Sequence, residues 1–167
     1  MTAVPLALVT GTREHLGAAA AALGRTGFAV TTWESNAGAE PAGPFDCYLQ
    51  LPCGPADPGG GGRVAAPDLV GRIDALAAVA GRLGPDASVL LGVEDAEPSA
   101  TPSRASLASD LLAAVALALL EDLGRPTVRV TVLPVADLCR AGGDEAGGAA
   151  RRMGQWEMPT PPLVSAP

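Results

Sequence analysis

The chain has 167 residues, 48% of them hydrophobic and 3% aromatic, with a formal charge of −7. That length fits one domain with a core of its own, built mostly from Ala, Val and Leu, and the acidic balance argues against nucleic acid or anionic membrane as a partner. All eleven basic residues are arginine, a bias of the GC-rich, actinomycete-like kind, and the missing lysine excludes Schiff-base and Walker-type phosphate chemistry.

The first stretch reads Leu6-Ala-Leu-Val-Thr-Gly-Thr-Arg-Glu-His-Leu-Gly17 and runs into Ala18-Ala-Ala-Ala-Ala-Leu23. Four apolar residues predict a buried strand, Thr10-Gly11 a tight turn, and the Ala/Leu run a helix lying close on a sheet. This is the opening of a nucleotide-binding βαβ unit, whose helix N-terminus points free N–H groups at a phosphate. Residues 28–33 and 46–51 read as the second and third strands, separated by a Gly/Pro-rich connection. A Gly/Pro loop over 54–67 leads to a helix over 68–83, with Leu69, Val70, Ile73, Leu76, Ala77, Ala80 and Leu83 expected on one face and Gly84-Pro85 as its stop. Residues 89–93 form a short buried strand, followed by the acidic loop Glu94, Asp95 and Glu97.

Residues 106–123 form the strongest predicted helix, with no polar side chain between Leu111 and Leu120. An all-apolar helix has to be covered on both sides, by the sheet on one and by another helix or a second subunit on the other. Residues 128–133 supply a fifth strand. From residue 141 Gly and Pro dominate, so residues 1–140 are expected to form one domain and 141–167 a tail that is poorly ordered or docked locally. The order β-α-β-β-α-β-α-β predicts an α/β fold: a three-layer, doubly wound, Rossmann-like and mostly parallel sheet of about five strands.

Cys47, Cys53 and Cys139, with His15 as the single histidine, show no metal-ligand spacing, so no metal site is expected. Three scattered cysteines fit a reducing cytoplasm. The N-terminus has no basic segment before its apolar run, which argues against a signal peptide, and no apolar run approaches the roughly 20 residues of a membrane span.

Three segments together resemble the short-chain dehydrogenase/reductase family in a shortened, degenerate form. They are Val9-Thr-Gly-Thr-Arg-Glu-His-Leu-Gly17, Ser103-Arg-Ala-Ser-Leu-Ala-Ser-Asp-Leu-Leu112 and Leu123-Gly-Arg-Pro-Thr-Val-Arg-Val-Thr-Val-Leu-Pro134. The resemblance covers residues 6–135 and implies the loss of one outer strand, leaving a sheet ordered 2-1-3-4-5. Thr10, Gly11 and Gly17 match the family's glycine turn, but His15 replaces its middle glycine. The family's tyrosine and lysine positions fall on Ala100 and Arg104, and the serine position reads Gly92-Val93-Glu94, with no hydroxyl. The only tyrosine, Tyr48, lies on the third strand instead.

If a dinucleotide binds, the resemblance assigns it to Gly11, Arg13, Gly17 and Glu34. Glu34 stands where an acid holds a ribose hydroxyl, and Arg13 could instead meet the extra phosphate of NADP. Glu34 also reads as a plain surface acid at a strand end. Absence of any cofactor is the leading expectation, with NAD(P) as the alternative. Glu94, Asp95 and His15 are the remaining candidates for acid–base work.

The resemblance implies an interface through the helices over 68–83 and 106–123, giving a homodimer or a heterodimer with a related protein. The leading expectation is a non-redox partner or stabilising subunit, beside a ketoreductase or polyketide-type enzyme. The rival is an enzyme of secondary metabolism: an atypical NAD(P)-dependent ketoreductase, or a dehydratase, cyclase or isomerase using the loop over 94–97.

Overall fold

The computed structural model describes residues 4–11, 13–33, 41–52, 66–93 and 104–135. The loop expected over 54–67 lies almost entirely outside these residues, and the tail over 141–167 entirely outside them. Five strands, β1 (Leu6–Thr10), β2 (Ala29–Trp33), β3 (Phe45–Gln50), β4 (Leu83–Val93) and β5 (Arg129–Pro134), form one sheet ordered β2-β1-β3-β4-β5. Every pairing is parallel, which bears out the doubly wound architecture. Helices α1 (Arg13–Arg25), α2 (Ala66–Ala80) and α3 (Arg104–Asp122) complete the described elements.

Strand alternation divides the core into two halves. Ala7, Val9, Cys47, Leu49 and Leu51 meet Leu16, Ala19 and Leu23 of α1. Leu8, Tyr48, Val89 and Leu91 turn to the opposite face, toward Leu76 and Val79 of α2 and Leu112, Ala116 and Leu120 of α3. Alanines at Ala19, Ala80 and Ala116 are at most 1% exposed, so the helix backbones lie close to the sheet. Each fully buried leucine contributes roughly 1.5–3 kcal/mol of transfer free energy, which is how a core this poor in aromatics holds together.

The structure moves several expected boundaries. Helix α2 ends at Ala80, and Gly84-Pro85 lies inside β4 instead of stopping the helix. The amide of Phe45 donates to the carbonyl of Arg82 at 2.8 Å, which draws Leu83 into register with Phe45 as the first residue of β4. The ladder is then irregular between the Phe45–Leu83 and Cys47–Ser88 pairs, so Pro85 falls where the regular pairing is interrupted. The stripe of α2 also differs: Val70 and Ala77 face outward, while Arg72, Ala75, Leu76, Val79 and Ala80 are buried. On α3, Leu111 and Leu117 are exposed by 53% and 49%, so the sheet and α2 cover only part of this apolar helix.

Arginines close the amino end of the sheet. Arg125 donates from Nη1 to the Leu83 carbonyl at 3.0 Å and from Nη2 to the Gly81 carbonyl at 2.9 Å. Arg82 Nη1 donates to the carbonyl of Pro41, tying down the entry to β3. The carboxylate of Asp46 accepts from the Leu6 amide at 2.8 Å, joining β3 to the start of β1.

Among the described residues no helix is long and apolar enough to cross a membrane, and no group of three or more His, Cys, Asp or Glu side chains could hold a metal.

Cys47 sits in the α1 half of the core, 2% exposed, and burial, aided by the neighbouring Asp46 carboxylate, pushes its thiol from 9.0 up to about 12. The unfolded chain releases this proton once the pH passes the ordinary thiol range, whereas the folded chain keeps it. Stability therefore falls with rising pH between about 9 and 12, by up to about 1.4 kcal/mol per pH unit. In urea titrations at about pH 8 and pH 10, the wild type should lose about 1–2 kcal/mol more than Cys47→Ala does. An identical pH dependence in the two proteins would show that Cys47 ionises as freely folded as unfolded.

Candidate functional site

In open α/β sheets, ligands gather at the carboxyl ends of neighbouring strands whose connections leave in opposite directions. Here those strands are β1 and β3. The chain runs outward from β1 to the edge strand β2, and from β3 toward β4 and the other edge. The crossing point is the end of β1, Thr10-Gly11, beside the end of β3, Gln50-Leu51.

Much of this crossing point is occupied by the protein's own groups. The Leu51 amide donates to the Thr10 carbonyl at 2.8 Å, carrying the β1–β3 pairing one residue past the end of β3. Gly11 has φ +147°, and a Cβ built there would lie 2.5 Å from Leu51 Cβ. Only glycine satisfies both the backbone conformation and the approach. The first glycine of the turn is therefore accounted for by Leu51, with no phosphate required.

On the α2/α3 face, alternation places Thr10, Tyr48 and Gln50 side by side, with Thr10 in register with Gln50. Arg72 enters this row from the second turn of α2. All four residues are at most 2% exposed. Thr10 Oγ1 and Tyr48 OH share a hydrogen bond of 2.9 Å. Gln50 Nε2 donates to Tyr48 OH at 3.1 Å and to the Arg72 carbonyl at 2.7 Å. Arg72 returns the contact from Nε to Gln50 Oε1 at 3.3 Å. Its Nη2 donates to the Gly92 carbonyl at 2.7 Å and reaches the Gln50 carbonyl at 3.4 Å. The guanidinium thus bridges the ends of β3 and β4, its charge facing three carbonyl oxygens.

Gly92 completes the arrangement. A Cβ at this position would lie 3.2 Å from each of Gln50 O, Leu51 Cδ2 and Val135 Cγ2. A serine there would press on the same Gln50 carbonyl that Arg72 contacts. Packing thus gives a reason why the sequence offers no hydroxyl at Gly92.

The residues anticipated from the sequence fall differently. Arg13 opens α1 and His15 is its third residue, half-buried, so the segment expected as a glycine turn is already helical from Arg13 onward. Leu16 and Ala19 explain the early start, since both are buried at helical spacing on the sheet. Gly17 is exposed, with open space where a Cβ would stand, so no close approach explains it. Glu34, Glu94, Asp95 and Glu97 lie outside the described residues. Trp33, the residue before Glu34, is 9% exposed, and its Nε1 has no hydrogen-bond partner among the described residues.

Tyr48 is fully buried, and its hydroxyl is engaged by Thr10 and Gln50. These bonds hold it between the sheet and the α2/α3 layer. Arg72 and Gln50 were not anticipated as a pair. Their signal was a lone arginine in register with Leu69 and Leu76 on an apolar helix, and a lone amide ending an apolar strand.

Scans of protein-family models and of curated proteins return no match to this chain.

The Arg72 bridge has a measurable weight. Arg72→Met leaves the Gly92 carbonyl and the Gln50 side chain buried without this donor, and should destabilise the fold by about 3 kcal/mol in urea titrations. Arg72→Lys should recover only part of that, because one ammonium cannot reproduce the planar fork. A loss below about 0.5 kcal/mol for Arg72→Met would refute the bridging role.

Proposed function

We propose that this chain is a non-redox relative of the short-chain dehydrogenase/reductase family and acts as a partner or stabilising subunit, associating through the outer faces of α2 and α3. The observation that carries this reading is the surface of those two helices. Val70, Leu111 and Leu117 are exposed by 60%, 53% and 49%, with Ala77, Ala78, Ala114 and Ala118 exposed around them. The helices pack against each other on one side of the sheet, so their outer surfaces face the same way. Apolar residues gathered like this mark an interaction surface, whereas isolated ones need no explanation.

The interior supports the non-redox half of the reading. The only tyrosine is held inside the Thr10–Gln50 row, lysine is absent from the sequence, and a side chain at Gly92 would crowd Gln50, Leu51 and Val135. Arg72 and Leu51 occupy the crossing point of the sheet with groups that stabilise the fold.

Two experiments test the two halves. At 1 M salt, where the Debye length is about 3 Å and charges are screened, the purified chain should self-associate in sedimentation velocity runs. Leu111→Asp combined with Leu117→Asp should abolish that association while moving stability by no more than about 0.5 kcal/mol, since both residues are exposed. Association that persists in the double variant would place the interface elsewhere. For the cofactor, no melting-temperature shift is expected with NADH or NADPH. Saturation to about 100 times a dissociation constant would add roughly 2.7 kcal/mol of stability, and a shift of that size would return a dinucleotide-dependent activity to the front.

A further inference from the structure

A parallel sheet needs cover on both faces, and the two faces here are covered unequally. Helices α2 and α3 lie over one face. On the other, α1 packs on β1 and β2, the strands that it connects. Over β4 and β5 that second face carries Ser88, Leu90 and Gly92, in register with Arg129, Thr131 and Leu133. Strand β4 compares the two sides directly. Val89 and Leu91, which turn to α2 and α3, are 0% exposed, whereas Leu90 between them is half-buried. Since β3 and β5 flank Leu90 in the ladder, its remaining exposure opens through the face.

The chain leaves the sheet on this same side. Strand β5 ends at Pro134, and Val135 then reaches inward from the edge and is 6% exposed. It joins the α1-side cluster with Leu51, and a Cβ at Gly92 of β4 would lie 3.2 Å from Val135 Cγ2. Leu90 and Leu133 pack against the same cluster. The residues that follow read Ala136-Asp-Leu-Cys139, which puts Val135, Leu138 and Cys139 at i, i+3 and i+4. That spacing gathers three apolar side chains on one side of a helical turn, and the first of them already meets the sheet.

From these observations we infer that the open half of the α1 face, over β4 and β5, is closed by the chain's own next segment, residues 136–139. Leu138 and Cys139 are seated over Leu90 and Leu133, with Val135 as the anchor. This face is then filled from within. The outer surface of α2 and α3 stands on the opposite side of the sheet and stays available to a partner.

Pulse labelling of the full chain with iodoacetamide, read cysteine by cysteine by peptide mass spectrometry, tests this. Cys47, 2% exposed in the α1-side cluster, reports that the molecule is folded. Cys139 should be labelled at least about ten-fold more slowly in the native chain than in urea at the same pH, because a covered thiol does not react. That protection should not change on dilution. Leu138→Asp should return Cys139 to the unfolded rate while Cys47 stays protected. If that variant exposes Cys47 as well, the milder Leu138→Ala takes its place and should speed Cys139 labelling with Cys47 still covered.

Cys139 labelled as fast in the native chain as in urea overturns the inference. Protection that fades on dilution overturns it too, because a second copy is then the cover. So does protection that both Leu138 variants leave intact. Leu111→Asp combined with Leu117→Asp should leave Cys139 protected, so failure of the α2/α3 interface is read separately from failure of this one.

Discussion

A guanidinium 1% exposed to solvent has to find oxygen atoms inside the protein, and that requirement shapes the carboxyl end of this sheet. Arg72 meets it with the side-chain oxygen of Gln50 and the carbonyls of Gln50 and Gly92. The consequences spread through neighbouring residues. Gln50 is held at both ends of its amide, Tyr48 receives one of its protons, and Thr10 joins the row. Gly92 stays small because a Cβ there would crowd the Gln50 carbonyl. Break the arginine's contacts, and several buried polar groups lose their partners at once.

The same chemistry recurs at the amino end. Arg82 and Arg125 also direct their guanidinium groups at backbone carbonyls, closing the entry to β3 and the start of β4. A chain without lysine uses a planar fork of donors to tie together backbone carbonyls at and before the strand ends. With both ends of the sheet closed by the protein's own groups and α2 and α3 sharing one face, the apolar surface left over points outward. The proposed function starts from that surface, which the packing of the interior leaves exposed.

Much of the fold was legible in the residues because period and punctuation agreed. The strand order 2-1-3-4-5 and the three helices match what the pattern and the resemblance implied. The errors lie where one local signal competed with a tertiary one. Gly84-Pro85 reads as a helix stop, yet the Phe45 amide reaching the Arg82 carbonyl starts the strand before it. Val70 and Ala77 fit a helical stripe by hydrophobicity, but the stripe that faces the sheet runs through Arg72. Hydrophobic counting cannot find a buried arginine, because its oxygen partners come from strands that are distant in sequence.

The sequence by itself determined the class of fold, the lack of lysine chemistry and the apolar character of α3, since each follows from residue types and their spacing along one segment. Only the tertiary structure decided which side of α3 is covered, that the sole tyrosine is engaged inside the sheet, and that Gly11 answers to Leu51. Those outcomes depend on register between β1 and β3 and on the rotation of α2 about its axis. Local spacing does not specify either quantity: the β1–β3 ladder fixes the register, and Arg72 meeting the carbonyls of β3 and β4 fixes the face that α2 turns to the sheet.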